Sequence, residues 1–190
     1  MDIRTLLDFW FQAPGSRGHL RPRPAWFQAD PVFDAEIRDR FAELCDQAAS
    51  GGLSHWAEEP DGAVALLLLL DQVPRNLFRG TPEAYRTDAM ARSVARSACM
   101  KQFDRDQPPV RRWFVYMPFM HSEDLGDQVE SLRLFEELRD DPDSHPSIAS
   151  ARRHHEIIAR FGRFPHRNAI LGRVSTPMEQ AFLTEPNSAF

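Results

Sequence analysis

DPVFDAEIRDRFAELCDQAA, residues 30–49, decides the fold class. Phe33, Ile37, Phe41, Leu44 and Ala48 recur every three or four residues, the spacing that lines one face of an α-helix. Asp30 before Pro31 sets a capping side chain ahead of the residue best tolerated in a first helical turn. The same start recurs at Thr81-Pro82 and at Thr176-Pro177, where Glu179 completes a capping box with Thr176. Helical spacing also links Leu125, Val129, Leu132 and Leu138, and again Ile148, Ala151, His155 and Ile158. No stretch alternates apolar and polar residues as a half-buried strand would, and no Asn-Gly hairpin turn occurs.

The chain is therefore expected to be all-α, with helices near 2–11, 31–49, 61–73, 82–101, 109–117, 123–140, 146–161 and 176–184. Residues 12–30, rich in Gly, Pro and Arg, read as a long surface connection. The short connectors elsewhere predict stacked antiparallel helical hairpins, with residues 1–190 forming one domain. At 190 residues such a domain buries enough surface to need no disulfide or metal.

Composition narrows the function classes. Apolar residues are 42% of the chain and charged residues 27%, which is ordinary for a globular protein. No N-terminal signal sequence is evident, and the longest apolar run, AVALLLLL at 63–70, is too short to span a bilayer. Cys45 and Cys99 lack metal or redox spacing and read as reduced core thiols, so the expected location is the cytoplasm. The net charge is -5, yet residues 151–175 carry six Arg and three His against one Glu. A locally basic segment on an acidic protein suits a small anion better than a nucleic-acid backbone.

Three segments concentrate polar side chains beside apolar anchors. In LLLDQVPRNLFRGT, 68–81, an apolar helix runs into Asp71, Gln72, Arg75, Asn76 and Arg79. Pro74 cannot donate to Leu70, so the helix is predicted to kink or end there. Asp71 and Arg75, one turn apart, can pair. In RRWFVYMPFMHSEDLGDQ, 111–128, an aromatic and Met-rich run stops at Pro118 and presents His121 and Glu123, a pair suited to proton transfer. Ser122 reads as the cap of the next helix. In RFGRFPHRNAILGR, 160–173, Arg160, Arg163, His166, Arg167, Asn168 and Arg173 alternate around Phe161, Phe164, Ile170 and Leu171. Guanidinium forks match planar carboxylate and phosphate groups. Each segment also has a plain structural reading, as ion pairs that close helix ends or Arg stems packed on rings.

Phosphate-loop, dinucleotide and nucleophile-elbow motifs are absent, as is a zinc-protease helix, so no cofactor is expected. His121, Glu123 and His166 could hold a metal only by converging in space, and the reading adopted here needs none. LLDFWF at 6–11, LLLDQVPRNLFRGT at 68–81, YMPFMHSEDLGDQ at 116–128 and RFGRFPHRNAILGR at 160–173 resemble the signatures of the bacterial domain-of-unknown-function family 924. The resemblance covers nearly the whole chain. It implies a tetratricopeptide-like helical fold and no particular activity.

The leading expectation is that the three segments form one pocket for a small anionic ligand. Arg75, Arg163 and Arg167 would hold the phosphate or carboxylate, with Asn76 and Asn168 orienting it and Asp71, Gln72, Arg79 and Arg160 completing the wall. His121, Glu123 and His166 would move protons if the pocket is catalytic. The alternative is a protein- or peptide-binding groove in which the same arginines clamp a carboxylate. A third reading, single-stranded RNA stacked on the aromatics, is opposed by the negative net charge and by Lys101 being the sole lysine.

Overall fold

A computed structural model describes residues 2–186 and 188–189. Among the described residues there is no strand. The principal helices are α1 (Ile3–Phe11), α2 (Pro31–Ala49), α3 (Pro60–Leu67), α4 (Val73–Leu77), α5 (Asp88–Met100), α6 (Pro109–Met120), α7 (Leu125–Glu136), α8 (His145–Phe161) and α9 (Pro177–Leu183). No helix among them is long and apolar enough to cross a membrane.

The capping chemistry works as expected at two starts. The Asp30 carboxylate accepts from the backbone N–H groups of Val32 and Phe33, and Thr176 with Glu179 forms the reciprocal box at α9. It differs at two others. Thr81 turns its hydroxyl back to the Phe78 carbonyl, and a single tight turn, Pro82–Tyr85, precedes α5. The cap of α7 is Asp124, not Ser122, whose hydroxyl donates to the Asp127 carboxylate while accepting from the Asp124 N–H. The start of α8 also corrects the face assignment. His154 lies on the buried face with Ile148, Ala151 and Ile158, and the adjacent His155 does not.

Helix α6 runs through Pro118 to Met120 instead of stopping. Beyond it, the Gln128 amide donates to the carbonyls of Phe119, Met120 and Ser122, the groups a helix end leaves without partners. The long connector 12–30 is not purely superficial. Trp26 is buried and stacks on Trp10 at 6.2 Å, and Arg23 donates to the carbonyls of Phe9 and Trp10.

Helices α6, α7 and α8 pack in succession, α3 lies against α1, α5 and α6, and α2 packs on α4. Gly62 in α3 permits one of the closest approaches, since a Cβ there would lie 2.3 Å from the Trp56 carbonyl oxygen. A second, smaller apolar cluster of Ile157, Ile158, Phe164 and Phe182 anchors the chain after α8. Gly162, at φ +70°, turns the chain out of α8 with its N–H on the Ile158 carbonyl.

Candidate functional site

Helix α3 continues into α4 through one wide turn, Leu68–Gln72, in which the Val73 N–H reaches five residues back to the Leu68 carbonyl. Pro74 has no N–H to give. Three successive carbonyls therefore take side-chain donors: Leu69 from the Cys45 thiol, Leu70 from the Thr87 hydroxyl at 2.6 Å, and Asp71 from Arg75 Nη1 at 2.6 Å. Such π turns are rare and concentrate at functional sites. Here the turn keeps the chain helical past a proline that was expected to kink or end it. Replacing Thr87 with Val keeps the shape but strands the buried Leu70 carbonyl, so urea unfolding should show a loss of about 1–3 kcal/mol. An unchanged stability would mean that this carbonyl has another donor.

The turn delivers Asp71, only 1% exposed, to the centre of a charged network. Its Oδ1 lies 2.8 Å from His121 Nδ1 and 3.2 Å from Arg75 Nη1, and Gln72 Nε2 donates to Oδ2. Arg75 also grips Asp88 with both nitrogens, at 3.0 and 3.1 Å. Burial alone would raise the Asp71 pKa. The Arg75 guanidinium and His121 outweigh it and hold the carboxyl well below the usual carboxylate range. Asp71 is thus ionised and can only accept, which assigns the proton of His121 to Nδ1 and leaves Nε2 basic. Burial also pushes the His121 pKa down, against the pull of Asp71, so the ring is neutral at pH 7.

Residues from all three singled-out segments line one cavity of about 650 Å³. Gln72, Arg75, Asn76 and Arg79 come from the first, Met117, Met120 and His121 from the second, and His166, Arg167 and Ile170 from the third. Trp26, Phe27, Tyr85, Ser150 and His154 complete much of the wall. Burial lowers the pKa of His154 to about 3 and of His166 to about 4, so both are neutral.

Arg167 is the unusual member. It is 6% exposed and sits between the rings of Phe164 and Tyr85, 4.4 and 4.7 Å from their centroids. Its Nη1 donates to the His121 carbonyl at 3.0 Å, and Asp88 lies 3.9 Å away. Its Nε has no hydrogen-bond partner among the described residues. Burial, reinforced by the Arg75 charge, pulls its pKa down to about 10. The guanidinium remains charged, with its charge incompletely met.

Other expected site residues lie elsewhere. Arg163 clamps Glu179 at 2.6 and 2.7 Å and the Val174 carbonyl, bracing α9 outside the cavity wall. Arg160 stacks over Phe161 and Phe182. Asn168 is fully buried and donates to Ser175. Glu123 accepts from Arg173 and from the Phe164 N–H, and burial of the carboxylate is outweighed by Arg173, so it stays ionised. These four form the frame that fixes the 160–173 segment and do not line the cavity. Asn76 and Arg79 are on the wall, though both are engaged by Asp34 of α2. Asp71 stands behind the wall and acts through His121, Gln72 and Arg75. Among the described residues no cluster of three or more His, Cys, Asp and Glu side chains is arranged to hold a metal.

The model for bacterial proteins of unknown function, DUF924, matches residues 6–187, nearly the whole chain. The chain belongs to the DUF924 family. The structure of a protein of unknown function, ATU0120 from Agrobacterium tumefaciens, superposes with a TM-score of 0.84 at 38% identity, covering 96% of each chain. No curated protein matches. The all-helical fold of this DUF924 member is thus that of a solved relative.

Sequence reading missed His154, Tyr85, Asp88 and Thr87. For His154, the apolar spacing was assigned to its neighbour His155 instead. The serine and alanine spacing Ser147, Ala151, His154, Ile158 is the pattern that would have found it. Tyr85 and Asp88 lie in an unremarkable polar stretch whose role arises only from the packing of α5 against the π turn.

Proposed function

We propose that the protein binds a small organic molecule bearing an anionic group, with Arg167 receiving the anion and the cavity enclosing the rest. The observation that carries this reading is the Arg167 guanidinium, nearly fully buried on the cavity wall with the Asp88 carboxylate 3.9 Å away. Burying a guanidinium so loosely paired is costly, because a desolvated charge needs a close counter-charge. An anion against this guanidinium would offset the charge that burial and Arg75 disfavour. The cavity volume falls in the range of small-molecule sites, and its walls combine apolar rings and thioethers with a few fixed polar groups. His121, oriented by Asp71, supplies a neutral base on the same wall, so proton transfer to or from the bound molecule is within its chemistry.

A thermal-shift screen against phosphates, nucleotides and carboxylates tests the reading. A ligand at a hundred times its Kd should raise Tm by roughly 5–10 °C for a chain of this size. The shift should shrink when Ile170→Trp projects a bulkier ring into the cavity. Silence across the panel from well-folded protein would overturn the pocket and favour a peptide-binding groove.

A further inference from the structure

We propose that the occupant of the cavity is a singly charged carboxylate with a flat, apolar body, and not a phosphate ester. The inference rests on the anion-pocket reading and narrows it. Of the three guanidiniums at the cavity, Arg75 is paired with both Asp71 and Asp88 and Arg79 is gripped by Asp34 through both Nε and Nη2, whereas Arg167 stands 3.9 Å from Asp88. The three histidines on the wall, His121, His154 and His166, are buried or half-buried beside these guanidiniums and add no positive charge at neutral pH.

One added charge can be met by Arg167 alone. Two cannot, because Arg75 has both terminal nitrogens on Asp88 and Arg79 is committed to Asp34. A phosphate monoester carries about 1.5–2 negative charges at pH 7 and would need that second cation. The guanidinium is moreover packed against Phe164 and Tyr85, so it is not free to swing toward a second charge.

The remaining wall selects the body. Trp26, Phe27 and Tyr85 present rings, and Met117 and Met120 present thioethers that conform to aromatic edges. A flat ring has partners on this wall that a polyhydroxylated chain does not.

Calorimetric titration at pH 7.5 with phenylacetate, indole-3-acetate, phenyl phosphate and 2-phenylacetamide separates the possibilities. The two carboxylates should bind at least tenfold more tightly than the phosphate and the neutral amide. Arg167→Gln should weaken carboxylate binding at least tenfold. If that variant fails to fold, Ile170→Trp, which touches no ion pair, should weaken carboxylate binding at least tenfold instead. Preference for phenyl phosphate would overturn this inference and leave the anion pocket standing. Tightest binding of the amide, or no heat with any probe, would overturn both.

Discussion

Asp71→Asn is expected to lower folding stability by about 3–5 kcal/mol, the range seen when one member of a buried ion pair is removed. The change is nearly isosteric, so packing is preserved and the effect is electrostatic. Asp71 is the acceptor for His121 Nδ1 and Gln72, and its Oδ1 faces Arg75 Nη1 at 3.2 Å. An amide can serve one of these donors but offers no charge to Arg75, and its own N–H groups would face cations and donors. Asp88 still grips Arg75, which sets the loss nearer the lower end of the range. For a protein of this size the loss corresponds to a fall in Tm of roughly 6–12 °C. A fall below about 2 °C in a thermal melt would show that Asp88 alone neutralises Arg75 and that Asp71 is not the keystone of the network.

Acidification should act earlier than in a protein whose carboxylates alone govern its acid stability. His154 and His166 have folded pKa values of about 3 and about 4, against about 6.5 when the chain is unfolded. Below pH 6.5 the unfolded state therefore binds protons that the folded state refuses, and stability falls as pH falls. Each histidine contributes a slope of about 1.4 kcal/mol per pH unit until its folded pKa is reached. Between pH 7 and pH 5 the two together should remove about 4 kcal/mol, and His121, lowered in the same direction, adds to it. Asp71 has the depressed pKa of a paired carboxylate, so its contribution is intact above about pH 4 and is lost only below that. Urea unfolding at pH 7, 6 and 5 reads this directly. Equal stabilities at pH 7 and pH 5 would mean that the histidines take up protons in the folded state and are not held neutral.

The helical fold could be read because its signals are local. Asp30 capping α2 and the box at Thr176 need nothing beyond the neighbouring residues, and apolar spacing marks the buried face of α2 without knowledge of its partner. The stopping points were harder. Pro118 and Pro74 both signal a break, yet α6 continues to Met120, and the chain continues beyond Pro74 to Leu77 because distant side chains satisfy the freed carbonyls. Cys45 and Thr87 lie far from Pro74 in sequence, so no local rule could anticipate them.

The site was legible as composition and not as geometry. The density of Arg, Asn and His singled out the segments that line the cavity. It could not divide Arg167, turned inward between two rings, from Arg163, turned outward onto Glu179, although only three residues separate them. That division depends on the turn at Pro165 and on the acids that each guanidinium meets across the fold. The π turn was invisible for the same reason, since its cost is offset only by tertiary hydrogen bonds.

That wide turn also sets the angular phase of everything downstream. One residue more than an α-turn requires rotates the following helix by about 100° relative to the preceding one. Leu66 to Leu70 can therefore face the apolar interior while Gln72, Arg75, Asn76 and Arg79 face the cavity, all on one continuous rod. A chain one residue shorter here could remain helical on both sides of the join and keep Arg75, Asn76 and Arg79. It would aim them at the wrong wall. The cavity's chemistry is thus written in a helical phase offset as much as in the identities of its residues.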